Sequence, residues 1–411
     1  MGPLILIGYA GAVIGELAKF LPDDSVIFVE EPDVVRKRSL GSITSPTLRE
    51  LIEWPYQLDG AADCFYHRYA DLDPSAVVPI SDYGVPFAGR LAERYGVLGP
   101  TYGAALLLRD KHLLRLVTGA AGIANPPSVV VDAPEQVKAF MAEMDTPIVL
   151  KPANRRASVG TRIVSDQSEI EAAWTECLDQ DEGVFAADDI PLRMLAERFV
   201  CGEEYSVEMM RFHGRSGFGA VTRKFLFDGP RPVEVGHLHP ADIPPELTAR
   251  LLADTTRVLD AVGMDSGFVH CEWIVEAGRP YLVECAGRMA GDGIIELVRL
   301  AWGYDLVEQY YRMIQGLPAT DEPPERPVGF AAAWLPHAAT GTVESVAGVA
   351  DAQAVPGVRI AVATVASGDE VHPLRSSWDR VGMVITEAPT ADGALDAARQ
   401  AAGRIVITVR T

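Results

Sequence analysis

Apolar runs separated by helix-length intervals dominate the first hundred residues of the chain. Three of these runs cover residues 4–7, 26–29 and 77–80. This spacing predicts buried parallel strands that alternate with helices, so the chain begins with a βαβ arrangement. Gly8, Gly11 and Gly15 are not spaced as GxGxxG, and we assign them to tight backbone packing. Ser81 and Asp82 follow the third run at its carboxyl end, where open α/β sheets bind ligands.

After residue 100 the pattern changes, and several predicted strands follow one another without a helix between them. Strands are predicted at residues 148–150, 161–164, 194–200, 205–210, 267–275 and 280–285. Helices are predicted at residues 104–118, 245–262 and 294–315. The proline-rich segment 234–245 is predicted to be a loop that covers the site. The proline-rich segment 319–327 is predicted to be a linker. We therefore expect three units, at residues 1–100, 101–320 and 321–411.

The composition excludes several classes of partner. The chain has 36 Lys and Arg against 57 Asp and Glu, which gives a formal net charge of −21. Such a charge repels nucleic acids and anionic membrane surfaces, and no Lys/Arg run offsets it. The five cysteines are scattered and never form a CxxC pair, so we expect neither a disulfide framework nor a zinc site. A reducing cytoplasm fits this composition best.

The polar segment after the predicted strand at 148–150 has the groups that a triphosphate requires. Lys151 ends this strand, and a loop that includes Ser158 and Gly160 follows it. The backbone N–H groups of a glycine-bearing loop can approach phosphate oxygens without Cβ clashes. Lys111, on the helix predicted at 104–118, is a second candidate cation. We therefore expect these residues to bind phosphates.

Apolar alternation on both sides of Gly202 predicts two strands joined by a turn. The segment 196–208 reads AERFVCGEEYSVE. A strand edge offers backbone N–H and C=O groups that can hydrogen-bond an adenine. The adjacent Glu203 and Glu204 can also be an exposed pair on the hairpin, and we keep that interpretation for Glu203.

Two carboxylates stand in another predicted hairpin. Glu272 and Glu284 lie in apolar runs joined by the turn 276–279. Antiparallel pairing would place both at one end of a shared face, where they form a hard oxygen site suited to Mg²⁺. Arg288 follows four residues after Glu284, and a fixed cation there can stabilise charge on a transferred phosphoryl group.

The histidines near these acids are candidates for shaping an acceptor pocket. His270 lies two residues before Glu272, and His237 and His239 belong to the segment EVGHLHP. A lone histidine is as often structural. The segment 289–293 opens a predicted helix, whose N–H groups would attract an anion such as a substrate carboxylate.

These pieces, in this order, resemble the ATP-grasp superfamily over roughly residues 75–315. The resemblance implies phosphate contacts from Lys111, Lys151, Ser158 and Gly160; an adenine and ribose site at Glu197, Arg198, Val200 and Glu204; metal ligands in Glu272 and Glu284; and catalytic roles for Arg288 and Lys151. One position departs from the family pattern. Ala286 stands where the family has an Asn ligand, so one oxygen of a second metal position is missing.

The histidine before the first acid, the EVGHLHP segment and the small C-terminal unit most resemble the L-amino-acid ligase and carnosine-synthase-like branch. That branch implies an α/β and α+β chain, with an ATP-grasp fold between a Rossmann-like N-terminal domain and a small C-terminal α+β unit. It implies ATP with Mg²⁺, for which Mn²⁺ could substitute, and small carboxylate and amine substrates, and it leaves a homodimer open.

The reaction implied by this branch is amide or peptide bond formation through an acyl phosphate, with release of ADP and phosphate. Two alternatives remain open. One is a carboxylase of the biotin- or purine-pathway type, which activates bicarbonate. The other is a catalytically weak nucleotide-binding protein, which Ala286 suggests.

Overall fold

The N-terminal part of the chain is a parallel sheet flanked by helices. The computed structural model describes residues 2–179 and 192–410. Its first strands, in the order β3-β2-β1-β4, are β1 (Leu4–Ile7), β2 (Val26–Glu30), β3 (Leu48–Glu53) and β4 (Ala76–Pro79). The helices are α1 (Gly11–Leu17), α2 (Pro32–Lys37), α3 (Ala61–Arg68) and α4 (Val85–Tyr95). The predicted βαβ start is confirmed, and β1, β2 and β4 are buried because one face of the sheet packs on α3 and α4 and the other on α1 and residues from the middle of the chain.

The helix predicted over residues 104–118 is two helices, α5 (Tyr102–Arg109) and α6 (Lys111–Ala120). Asp110 separates them in an extended conformation, and its carboxylate accepts hydrogen bonds from the backbone N–H groups of His112 (2.9 Å) and Leu113 (3.1 Å). An aspartate at this position satisfies donors that a helix start leaves free. The prediction of one helix was wrong because the apolar periodicity continues across the break.

A second sheet is antiparallel and lies next along the chain. Its strands, in the order β5-β8-β6-β7, are β5 (Ser128–Val131), β6 (Ile148–Pro152), β7 (Arg162–Val164) and β8 (Met194–Arg198). The helices α7 (Pro134–Met144) and α8 (Ile170–Leu178) contact these strands. The predicted hairpin of β6 and β7 is confirmed by the register Ile148↔Val164.

The largest sheet within the described residues has eight strands and joins the middle of the chain to its end. The middle of the chain contributes β9 (Glu203–Phe212), β10 (Arg215–Leu226), β11 (Glu234–His239), β12 (Gly267–Glu276) and β13 (Arg279–Ala286). The end of the chain contains β14 (Phe330–Trp334), β15 (Gly341–Ala347), β16 (Val358–Ala363), β17 (Glu370–Val371), β18 (Gly382–Ala388) and β19 (Val406–Arg410). The sheet order is β13-β12-β9-β10-β11-β14-β18-β16, and β17-β15-β19 form a separate small sheet.

One prediction is corrected by β11 and another by the remaining helices. They are α9 (Pro245–Val262), α10 (Ile294–Trp302), α11 (Leu306–Ile314), α12 (Val349–Gln353) and α13 (Ala391–Ala402). The helix predicted over 294–315 breaks at Gly303, which has φ +63° and ends α10. The segment 234–245 is not a covering loop, because its first six residues form β11 between β10 and β14. Pairing on both edges overrides the proline-rich composition that suggested a loop.

One apolar core connects the parallel sheet to the eight-stranded sheet. Leu6 and Phe28 belong to the same buried cluster as Met210, Phe268 and Tyr311. This packing fixes the carboxyl ends of the parallel strands against the middle of the chain. Along the described residues, no helix is both long and apolar enough to cross a membrane.

Candidate active site

A cavity of about 670 Å³ is lined by residues from all three parts of the chain. The N-terminal part contributes Tyr9 and Ser81, and the C-terminal part contributes Trp378 and Arg380. Of the site residues predicted from the sequence, the following line the cavity: Lys111, Lys151, Ser158, Glu197, Arg198, Val200, Glu204, Glu272, Glu284 and Arg288. Gly160 does not line it.

Glu197 is held between two cations at one end of the cavity. Its carboxylate lies 3.1 Å from Arg115 Nε and 2.6 Å from Lys151 Nζ, and all three side chains are buried. Burial raises the pKa of Glu197, but the two cations outweigh burial, so the pKa lies below its ordinary value. Burial also lowers the pKa of Lys151. We call Arg115, Lys151 and Glu197 the ion triad.

The sequence interpretation missed Arg115. Arg115 lies four residues after Lys111 on α6, so the two side chains share a helix face. That spacing was the available signal. Both oxygens of Glu197 contact cations of the protein, and Arg198 and Val200 line the cavity beside it.

We call residues 153–160 the phosphate loop, after the contact predicted from the sequence. Lys111 connects this loop to the hairpin of β12 and β13. Its Nζ lies 2.6 Å from Glu284 Oε2 and donates to the carbonyl oxygen of Arg155 at 2.9 Å. Its backbone N–H donates to the carbonyl of Ala153 at 3.1 Å. The break at Asp110 makes this arrangement possible, because it places Lys111 in the first turn of α6.

The phosphate loop has an unusual backbone. Ala157, Ser158 and Gly160 have φ values of +56°, +58° and +66°. A Cβ atom on Gly160 would lie 2.9 Å from the carbonyl oxygen of Cys177, so glycine is required there. Ser158 Oγ donates to the carbonyl of Pro232 at 2.8 Å. Gly160 therefore allows the loop to pack against Cys177, away from the cavity, while Ser158 lines the cavity.

Lys224 lies at the centre of three carboxylates and was missed by the sequence interpretation. Its Nζ is 2.8 Å from Glu204, 2.8 Å from Glu234 and 2.5 Å from Glu272. Oxygen atoms of these three glutamates lie within 4.8 Å of one another. We call these four residues the lysine cluster. The available signal was a lysine at a buried position of a long strand.

The excess of carboxylates in the lysine cluster changes its protonation. Burial raises the pKa of Glu204 to about 7, and the charges of Glu272 and Glu234 add to that effect against Lys224. Burial lowers the pKa of Lys224, but the surrounding carboxylates raise it well above its ordinary value. The ammonium group is therefore charged, and the cluster is acidic overall.

A second cation, His270, holds Glu272 from the other side. His270 Nε2 lies 2.9 Å from Glu272 Oε1, and Nδ1 lies 2.9 Å from Glu208 Oε1. Burial lowers the pKa of His270, but the two carboxylates raise it to about 10. In the register of β12 and β13, Glu272 stands directly opposite Glu284. The predicted shared face is confirmed, although Glu272 contacts Lys224 and His270 while Glu284 contacts Lys111.

Arg288 connects the site to the parallel sheet. Its Nε donates to Asp82 Oδ2 at 2.8 Å, and Arg156 Nη1 lies 3.6 Å from the same oxygen. Burial raises the pKa of Asp82, but Arg288, Arg156 and Arg109 lower it far below its ordinary range. Asp82 follows β4, as predicted for a ligand-binding edge, and it is bound to protein cations.

The segment 289–293 already contains an anion, the carboxylate of Asp292. Arg380 binds this carboxylate with both terminal nitrogens, at 2.8 and 2.6 Å. His237 Nε2 lies 3.7 Å from Asp292 Oδ2 and lines the cavity, as predicted. His239 does not line it, because Thr222 and Trp302 bind its two ring nitrogens at 2.9 Å each. His239 therefore follows the structural alternative that the sequence left open.

Two family models match this chain. An ATP-grasp domain matches residues 144–296, and the L-amino acid ligase C-terminal domain 2 matches residues 333–410. D-alanine–D-alanine ligase of Geobacter sulfurreducens is 29% identical over 56% of the chain and 67% of that relative. Alanine–anticapsin ligase of Bacillus subtilis is 23% identical over 53% of the chain and 49% of that relative. The matches therefore span about half to two thirds of these curated relatives.

A solved structure supports the same fold along the whole chain. The L-amino acid ligase from Bacillus licheniformis superposes with a TM-score of 0.80 and 19% identity, over 100% of this chain and 99% of that one. The resemblance inferred from the sequence is confirmed. Residues 144–296 therefore match the ATP-grasp domain, and residues 333–410 match the C-terminal domain 2 of L-amino acid ligases.

Proposed function

We propose that the chain is an ATP-dependent carboxylate–amine ligase that forms an amide or peptide bond. The observation that carries the proposal is a cavity with fixed cations beside an excess of carboxylates at one end and the backbone that follows β8 at the other. A triphosphate needs the cations, and a divalent metal needs the carboxylates. Relatives named as D-alanine–D-alanine ligase and alanine–anticapsin ligase support the same reaction class.

The residues fit Mg²⁺ by the chemistry of their donor set. Glu272 and Glu284 offer hard oxygen atoms on one face of a hairpin, and Glu234 offers another beside Glu272. Glu234 can supply an oxygen that Ala286 does not. When bound with ATP, the metal neutralises charge on the phosphates. Glu272, Glu284 and Glu234 would hold it.

In the proposed reaction, a carboxylate oxygen of the first substrate attacks the terminal phosphorus of ATP. The bond from that phosphorus to the bridging oxygen breaks, ADP leaves, and an acyl phosphate forms. The amine then attacks the acyl carbon, loses a proton, and phosphate leaves. Arg288, fixed by Asp82, stabilises charge on the transferred group, and Lys111 and Lys151 bind phosphates.

The C-terminal match supports the amide-forming ligase over the carboxylase. Solved biotin carboxylases also share the fold, with a TM-score of 0.66 in one case, so the fold alone does not separate the two reactions. The L-amino acid ligase domain at residues 333–410 favours amide formation. We further propose the units 1–100, 101–320 and 321–411, a cytoplasmic location and small-molecule substrates, with a homodimer left open.

A phosphate-release screen over amino acids and small carboxylates, singly and in pairs, tests the function. We expect release that requires a carboxylate and rises with an amine, with ADP as the nucleotide product. Hydroxylamine should trap the acyl phosphate as a hydroxamate. AMP and pyrophosphate in proportion to product would contradict the mechanism, and bicarbonate-dependent ATP hydrolysis would favour the carboxylase.

A further inference from the structure

We propose that the C-terminal part of the chain clamps the active site through residues 376–380, which hold the phosphate loop on one side and Asp292 on the other. We call this segment the clamp. In this proposal Arg380 is a positioning residue of the ligase reaction, so the inference rests on the function proposed above. It assigns the C-terminal part a role in the reaction as well as in the fold.

Hydrogen bonds within the segment and to Arg375 hold the clamp in one turn. Asp379 Oδ2 accepts hydrogen bonds from the backbone N–H of Ser376 at 2.8 Å and from that of Arg375 at 3.0 Å. Ser376 Oγ accepts the N–H of Trp378 at 3.3 Å, which completes a capping box. Arg380 Nε donates to the carbonyl of Ser377 at 2.8 Å. These bonds fix one turn that presents three groups toward the cavity.

Two contacts tie the clamp to the phosphate loop. The backbone N–H of Ser377 donates to the carbonyl oxygen of Ala157 at 3.0 Å. The ring of Trp378 lies 5.1 Å from the guanidinium carbon of Arg156, which is within cation–π distance. Ala157 has a positive φ, a conformation that persists in non-glycine residues only where neighbours hold it. The clamp is one of these neighbours.

The other side of the clamp fixes Asp292. The planar guanidinium of Arg380 binds both carboxylate oxygens, which sets the position and the orientation of the carboxylate. Asp292 has φ +55° and immediately precedes Gly293, with φ +76°, at the start of α10. Ser377 Oγ also donates to Glu234 Oε2 at 3.1 Å, so the clamp contacts the lysine cluster directly.

The two sides of the cavity are therefore coupled through five residues of the C-terminal part. The bond between Ser377 and Ala157 holds the phosphate loop, and the paired bonds of Arg380 hold Asp292. Loss of Trp378 should weaken nucleotide binding, whereas loss of Arg380 should disturb the wall that Asp292 forms beside His237. The two substitutions should thus affect different kinetic constants.

The test compares Trp378→Leu, Arg380→Met and Arg380→Lys with Arg404→Met as the matched control. Arg404 is an exposed arginine of the same part of the chain, and its Nη1 binds the carbonyl of Asp351 at 3.1 Å. Trp378→Leu should raise the Kd of a non-hydrolysable ATP analogue about fivefold. Arg380→Met should leave that Kd near the wild-type value and lower kcat/KM for the substrate pair by roughly 100-fold.

Arg380→Lys separates positioning from folding. Lysine keeps the positive charge but cannot bind both oxygens of Asp292, so we expect a kcat/KM between those of the wild type and Arg380→Met, with an unchanged Tm. It also keeps the test decisive if Arg380→Met does not fold. Equal kinetics for Arg380→Lys, Trp378→Leu and Arg404→Met would overturn the proposal.

Hydrogen exchange distinguishes a failed clamp from a failed function. The amide of Ser377 should exchange slowly with the ATP analogue bound, and faster in Trp378→Leu at the same occupancy. This readout requires no turnover. If the wild type shows this protection but makes no amide with any substrate pair, the clamp holds and the ligase assignment fails. If the wild type makes amide while the Ser377 amide exchanges equally in both proteins, the clamp fails alone.

Discussion

The ion triad and the lysine cluster are both buried groups of charges in one cavity, but their charge balance is opposite. In the triad, the cations Arg115 and Lys151 share the carboxylate of Glu197. In the lysine cluster, one ammonium group lies among the carboxylates of Glu204, Glu234 and Glu272. Burying unbalanced charges is costly. The triad has one more cation than carboxylates and the lysine cluster has two more carboxylates than cations, so each would be stabilised by a ligand of the opposite charge.

The difference indicates different roles. In the triad, both oxygens of Glu197 contact cations. Such buried ion pairs typically fix the relative positions of the elements that carry them, here α6, β6 and β8. The lysine cluster, His270 and Glu208, the second partner of His270, contain four carboxylates against two cations, so a divalent cation would balance the charge. We therefore expect the triad to act mainly on stability and nucleotide binding, and the cluster mainly on turnover.

The largest expected effect is on turnover, from the acids that face the phosphates. Glu272→Gln and Glu284→Gln should each lower kcat by roughly 10²–10³-fold, because a charge that stabilises the transferring group through the metal is lost. The Tm should change little. After loss of Glu272, Lys224 retains Glu204 and Glu234 and His270 retains Glu208; after loss of Glu284, Lys111 retains the carbonyl of Arg155. Steady-state kinetics and thermal melting measure both. Glu203→Gln, at the exposed first residue of β9, is the control, and wild-type kcat in either variant would remove that acid from the site.

The second prediction is a loss in the free energy of unfolding when the triad is broken. Lys151→Met leaves Glu197 with Arg115 alone, and breaking a buried pair costs about 3 kcal/mol in the free energy of unfolding. ATP affinity should also fall, because Lys151 lines the cavity. Urea unfolding and calorimetry test the two expectations. Lys138→Met, which removes an exposed partner of Glu171, is the control. Unaltered ATP affinity would exclude the phosphate contact of Lys151.

A third prediction concerns the metal. ATP with Mg²⁺ should stabilise the wild type by about 2.7 kcal/mol at a hundredfold excess over Kd. Removing Mg²⁺ with EDTA should reduce that stabilisation in the wild type, and much less in Glu272→Gln, whose cluster has lost one carboxylate. Denaturant unfolding with and without EDTA provides the measurement. The same Mg²⁺ increment in both proteins would place the metal away from Glu272.

A fourth prediction concerns a difference in pH dependence between the triad and the lysine cluster. The pKa of Glu204 is raised from 4.5 to about 7 in the folded protein, so the folded state binds more protons in that range. Stability attributable to Glu204 is therefore lost as pH rises from 4.5 to 7, by at most about 1.4 kcal/mol per pH unit. The pKa of Glu197 is lowered, so its contribution is present above the ordinary carboxyl pKa and is lost on acidification.

Unfolding free energies of the wild type, Glu204→Gln and Glu197→Gln across this pH range provide the measurement. Glu204→Gln should remove the decline toward neutral pH. Glu197→Gln should be less stable at neutral pH and lose less on acidification. Parallel pH curves for the two variants would contradict the opposite charge balance of the triad and the lysine cluster.

Much of the architecture could be predicted because its signals are local. The strand pattern predicted both the βαβ start and the hairpin that sets Glu272 opposite Glu284. Errors occurred where one local signal competed with another. Apolar periodicity hid the break at Asp110, and prolines hid β11, which is fixed by pairing on both edges.

The amino-acid sequence by itself determined the elements, the order of the motifs and which charged residues stand at strand ends, because these depend on spacing along the chain. Only the tertiary structure decided which charges meet. Asp82 binds Arg288 across 206 positions of the chain, and Arg380 binds Asp292 across 88. Lys224 belongs to the site because β9, β11 and β12 bring three glutamates around it. Such partners depend on the packing of distant elements, and the strength of a buried charge depends on that packing as well.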